Sequence, residues 1–254
     1  MKMSRIAAGL MLSLAAAGAH AALLSDLLSG GNIRAGDKLF DSWKLVSYTS
    51  SDVNRSFNAS NIDVQALSDG GDKPGPGLRF TASRNELGVT GDGVFGFVDL
   101  MFGFRVSVLD PARRVSGNTL SFASGGATLS WMVDGSYDLG TYIREVIGTA
   151  EGLDDLGQKN IEFSQLDDPL SGSSGTTKIS DSAAFAPQQS AWVTKNILVW
   201  AADTTDTAVL TQFDQRFSQS QVPEPGSFAL LGLGLLGLGW VRQTACKKNL
   251  AKIG

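Results

Sequence analysis

The chain has 254 residues, of which 43% are hydrophobic and 18% charged, with one histidine, one cysteine and a formal net charge of -4. His20 lies in an N-terminal leader and Cys246 in a C-terminal tail, so residues 22–222 contain neither. This excludes a Ser-His-Asp triad, a cysteine nucleophile, disulfides and any zinc or haem site held by His or Cys. The same stretch holds 15 basic and 24 acidic residues, and an excess of about nine negative charges sets nucleic-acid binding aside.

At the N-terminus, Lys2 and Arg5 precede an uncharged stretch, IAAGLMLSLAAAGA, that runs into Ala19-His20-Ala21. A charged start, an apolar centre and an A-x-A exit predict a signal peptide over residues 1–21. Export through the Sec translocon, removal by signal peptidase and a mature start at Ala22 are expected. Residues 22–36 read as a linker.

From 37 to 221 the recurring signal is a short apolar or alternating run punctuated by Gly, Asn, Asp or Ser. Strands are predicted over 43–49, 78–82, 87–90, 94–109, 119–123, 128–133, 142–149, 161–165, 177–180, 192–201 and 208–217. Their spacing and their content of Val, Ile, Thr, Phe and Trp predict an all-β ectodomain, an antiparallel β-sandwich of jelly-roll or Ig-like type. About 200 residues suffice to bury a core without disulfides. Gly96 and Gly103 within VFGFVDLMFGFRVSVL predict a bulge or a tight bend between two strands. SGSSGTT at 171–177 reads as a loop. Gly91-Asp92-Gly93-Val94-Phe95-Gly96 spells G-x-G-x-x-G, but a β-rich run follows where a dinucleotide site needs a helix, so a turn is predicted.

Beyond the body, Val222-Pro223-Glu224-Pro225 precedes an uncharged run over 228–241, followed by Arg242, Lys247, Lys248 and Lys252. The prolines hold the backbone around Glu224 extended. At ~1.5 Å per residue the run spans about two-thirds of a bilayer core unless residues 222–227 are drawn in, and the glycines within it weaken a helix. One C-terminal transmembrane helix is nevertheless expected, with the basic tail in the cytoplasm and the body outside.

Pro-Glu-Pro, a Gly-rich leucine run and a short basic tail, following a chain with a signal peptide, resemble the PEP-CTERM sorting signal of Gram-negative bacteria. On that resemblance residues 222–248 form the signal, with Val222, Pro223, Glu224 and Pro225 as its motif, Arg242, Lys247 and Lys248 as its basic tail, and 249–254 as the tail end. It implies transient inner-membrane anchoring, recognition by an exosortase, cleavage near Pro-Glu-Pro and transfer of the body to the outer envelope or exterior. It also implies a setting of exopolysaccharide and biofilm. A second resemblance lies in the body: V-x-K-[DN]-I at 193–197, an F-x-Q closing strand and I-R-E-V-I at 143–147 are similar to strands of a recurrent PEP-CTERM body type, for which no catalytic residue is implied.

Two function classes follow. One is a non-catalytic matrix protein that binds exopolysaccharide or surface proteins, with Trp43, Trp131, Trp192 or Trp200 stacking on sugars where exposed. The other is a secreted polysaccharide-processing enzyme working with two carboxylates drawn from Glu86, Asp99, Glu145 and Glu162. No cofactor is expected. Calcium is the one cation that Asp69 with Asp72, Asp134 with Asp138, Asp154 with Asp155 or Asp167 with Asp168 would suit, although no EF-hand spacing occurs.

Overall fold

Strands form where apolar and polar residues alternate, and SAWVTKNILVWA follows that rule closely: Ala191, Val193, Ile197, Val199 and Ala201 turn inward and the residues between them outward. The computed structural model describes residues 21–132, 136–168 and 172–222. In chain order these form β1 (Ala21–Leu23), the short helix α1 (Leu24–Leu28), β2 (Ile33–Ala35), β3 (Lys38–Ser50), β4 (Ile62–Leu67), β5 (Gly77–Ala82), β6 (Gly88–Thr90), β7 (Gly96–Val108) and β8 (Arg113–Phe122). They continue with β9 (Ala127–Ser130), β10 (Tyr137–Gly148), β11 (Gly157–Asp168), β12 (Gly172–Lys178), β13 (Ser180–Gln188), β14 (Ser190–Ala201), β15 (Thr207–Leu210) and β16 (Gln212–Gln221).

Two antiparallel sheets pack face to face. One has six strands in the order β1-β4-β5-β16-β8-β13, the other seven in the order β12-β11-β10-β14-β7-β3-β2, and a three-stranded sheet, β6-β15-β9, packs on β10 and β14 and adds Val89, Ala208 and Leu210 to the core. The core between the large sheets is aromatic at its centre. Trp43 and Phe104 of the seven-stranded sheet stack at 4.6 Å between centroids and Phe80 and Phe213 of the six-stranded sheet at 4.7 Å, while Phe80 with Phe102 at 5.7 Å and Phe40 with Phe217 at 5.5 Å join the two sheets.

The all-β antiparallel expectation agrees with this architecture, and several finer expectations do not. Residues 22–36 are no linker: Leu24 and Leu27 of α1 are buried in the core and β1 pairs with β4. The segment at 171–177 is largely an edge strand, β12, paired along its length with β11 although every side chain on it is exposed. Residues 94–109 hold one continuous strand from Gly96. The irregularity lies in its partner β3, whose register shifts between Asp41 and Lys44 where Ser42 takes a φ of 56°. The G-x-G-x-x-G stretch is a turn in which the Asp92 carboxylate accepts the N–H groups of Val94 and Phe95, both at 2.9 Å. Among the described residues no helix is long and apolar enough to cross a membrane. Residues 1–20 of the expected signal peptide, the expected spanning run and the basic tail lie outside the described residues.

Candidate functional site

Charged residues interrupt the apolar alternation at three neighbouring inward positions in the seven-stranded sheet. Glu145 lies between Ile143 and Ile147 on β10, Lys195 between Val193 and Ile197 on β14, and Lys159 before Ile161 on β11. Strand register places them side by side, since Glu145 is the cross-strand partner of both Lys159 and Lys195. Asn118 of β8 and Gln215 of β16 reach the same carboxylate from the facing sheet. Glu145 Oε1 accepts from Asn118 Nδ2 at 2.5 Å, Lys159 Nζ at 2.7 Å and Gln215 Nε2 at 2.8 Å, while Oε2 accepts from Lys195 Nζ. Lys159 Nζ also donates to Asn118 Oδ1.

All five residues are buried, and Lys195 Nζ lies 5.5 Å from the Phe213 ring centroid and 5.9 Å from that of Phe80. Burial pulls the Lys195 ammonium down to about 8 against the attraction of Glu145, and burial likewise lowers Lys159. Burial alone would raise Glu145, but the two ammonium groups hold it below the ordinary carboxylate range. Charged residues at apolar-phase positions of neighbouring strands were the sequence signal for this cluster.

A different kind of surface occupies the outside of the same sheet. The residues of β14 that point outward, Trp192, Thr194, Asn196, Leu198 and Trp200, are half-buried and run across its middle. Tyr142 and Arg144 lie beside them on β10 in register with Leu198 and Asn196. Trp200 lies across Gly140, where any side chain would collide with its ring, and its Nε1 donates to Asp138 Oδ1 at 2.7 Å. At that end of the sheet opens a cleft of about 510 Å³, lined among others by Tyr137, Asp138, Asp167, Asp203 and Thr204.

The other candidate residues scatter. Trp43 is a core residue and Trp131 packs on Tyr137 at 5.5 Å. Of the four candidate carboxylates, Glu145 is consumed by the buried cluster. Glu86 is buried and accepts from Asn58 N–H and Asn61 Nδ2. Glu162 on β11 and Asp99 on β7 share one row of the outer face, with β10 and β14 between them. Three strand spacings put these two about 14 Å apart at the backbone, wider than the ~5–9.5 Å of glycosidase pairs.

Five of the aspartates considered for calcium have other partners, Asp138 being bonded by Trp200. Asp69 pairs with Arg216 at 3.0 Å and Asp72 with Arg113 at 2.5 Å, while Asp155 accepts from Thr149 and Asp167 from Ser173. Among the described residues no three His, Cys, Asp or Glu side chains gather in a metal-holding group. Asp134 and the Asp168 side chain lie outside the described residues.

At the C-terminal end of the fold, the Val222 N–H donates to Ala112 O at 2.8 Å, directly after β16. Pro223, Glu224, Pro225, Arg242, Lys247 and Lys248 lie outside the described residues. The chain is thus an antiparallel all-β body whose last strand passes without a spacer into a C-terminal signal segment. The family model of the PEP-CTERM protein-sorting motif matches residues 221–243, which include Arg242 and stop short of Lys247 and Lys248. The chain therefore carries a PEP-CTERM sorting motif, the mark of an exported protein whose processing partner is an exosortase at the membrane.

No curated protein matches the chain. Among solved structures, TmCBM61 in complex with beta-1,4-galactotriose is 8% identical over 71% of this chain and 89% of its own, with a TM-score of 0.23. The Glycosylation Associate Protein (Gap123) complex from Streptococcus agalactiae is 11% identical over 67% of this chain and 25% of its own, with a TM-score of 0.22. Likenesses this distant carry no functional argument to this chain.

Proposed function

We propose that this is a non-catalytic envelope or extracellular-matrix protein that binds exopolysaccharide, exported through the Sec translocon, held briefly by a C-terminal membrane helix and released by exosortase cleavage. The supporting observation is the outer face of the seven-stranded sheet. There Arg144 and Asn196 lie between Trp192 on one side and Tyr142 and Trp200 on the other, and the row leads to the acidic cleft. Aromatic faces that stack on sugar rings, with amides, guanidinium and carboxylates beside them to bind hydroxyls, are the chemistry glycan recognition uses. Eight residues of strand separate the two tryptophans, about 26 Å, long enough for several sugar units in a row. The wide spacing of Asp99 and Glu162 favours binding over hydrolysis on this face.

The test is titration of the purified protein with exopolysaccharide from its own host, followed calorimetrically. Trp192→Ala and Trp200→Ala should each weaken binding about five- to tenfold, roughly 1–1.4 kcal/mol, with the fold unchanged by circular dichroism. Undiminished affinity in the double variant would remove this face from the reading, and reducing ends released during the titration would favour the polysaccharide-processing alternative.

A further inference from the structure

The buried cluster holds two ammonium groups against one carboxylate, in a layer walled by Phe80 and Phe213. One positive charge is therefore in excess where desolvation is most costly. The second lysine is also the one that touches a carboxamide. Lys159 Nζ bonds to Asn118 Oδ1, and Glu145 Oε1 bridges Lys159 Nζ at 2.7 Å and Asn118 Nδ2 at 2.5 Å. A nucleophile, an acyl carbon and a proton carrier touching both are thus assembled, with water excluded from all three.

The geometry points to an autocatalytic intramolecular isopeptide bond between Lys159 and Asn118, with Glu145 as the proton carrier and ammonia as the leaving group. Glu145 takes a proton from Lys159 Nζ, and the freed lone pair attacks Asn118 Cγ while the C=O π pair moves onto Oδ1. Glu145 then hands its proton to Nδ2 and takes a second from the attacking nitrogen. Collapse of the oxyanion breaks the Cγ–Nδ2 bond, and the ammonia released leaves with that second proton as ammonium. No oxidant, metal or co-reactant is consumed. The product holds one neutral amide and one ion pair, Glu145 with Lys195, so the excess charge is gone. Burial favours the free-amine form of Lys159 that this attack needs.

The bond would tie β8 of one sheet to β11 of the other and close a loop between residues 41 apart, the service a disulfide performs in exported proteins with cysteines. Lys195 has a separate part. It bonds the other oxygen of Glu145 and keeps a counter-ion beside the carboxylate after Lys159 has been acylated.

Tryptic mapping of the denatured full-length chain tests this directly. Lys159 acylated by Asn118 resists trypsin, so the dominant product should be residues 115–144 joined to residues 145–178, lighter than the sum of the two peptides by one ammonia. Free peptides 115–144 and 145–159 as the dominant species would overturn the inference, whatever any variant does. Lys159→Arg keeps the charge and should abolish the branch. Asn118→Asp should give the identical branched peptide by loss of water, which a purely structural hydrogen bond would not produce. Glu145→Gln that is folded by circular dichroism should leave the peptides linear, and a branch at the wild-type level in it would overturn the role assigned to Glu145.

Discussion

Lys195 is held by Glu145 in a layer where its own strand neighbours Val193 and Ile197 are apolar, and its pKa of about 8 lies below the ordinary lysine value of 10.5 because burial disfavours the ammonium. The unfolded chain keeps that proton up to pH ~10.5, whereas the folded chain begins to release it near 8. Between these values the unfolded state binds more protons, so stability rises with pH, and below pH 8 this group adds no slope. Urea unfolding at pH 8 and pH 10 should show a gain of about 1–3 kcal/mol that Lys195→Met removes. An equal pH response in the two proteins would mean that Lys195 is not the titrating group. The position was legible in the sequence as far as phase goes, because the alternation of β14 places Lys195 on the same side as Val193 and Ile197. Its partners were not legible, since register between strands distant in sequence is fixed by the whole sheet and no local pattern states it.

The short elements before β3 illustrate the opposite limit. Leu24 and Leu27 share one side of α1 and are wholly buried, yet five residues with no side-chain cap are too few for a helical period to appear. A Ser- and Gly-rich surround then reads as linker. β12 was hidden for a related reason: Gly and Ser are poor strand formers, and only backbone pairing with β11 makes GSSGTTK a strand. Long alternating strands such as β7 and β14 were the legible part of the fold, because each turn of the pleat repeats the same signal. If α1 is part of the core, Leu27→Ala should cost about 2–4 kcal/mol in urea unfolding, the range for deleting a buried leucine side chain. A change near zero would return the segment to the role of a tether.

At the scale of the molecule, β16 decides how sorting and folding coexist. It lies inside the six-stranded sheet, bonded to β5 on one side and β8 on the other, and the matched sorting segment begins at its last residue. Gln221 still pairs with Arg113, and Val222 makes the next backbone bond, to Ala112. A cut near Pro223 to Pro225 would therefore fall just past the last backbone bond among the described residues, leaving every described strand in place. The protein recovered from a host with active exosortase should end near those prolines by intact mass and unfold at the same urea midpoint as the uncut chain from a host without it. A cut upstream of Phe217 would remove a buried ring that packs on Phe40 and Phe104, so a product ending there should lose the cooperative transition. A lower midpoint for the product ending near the prolines would mean that the sorting segment itself supports the sandwich, and that release and stability oppose each other in this chain.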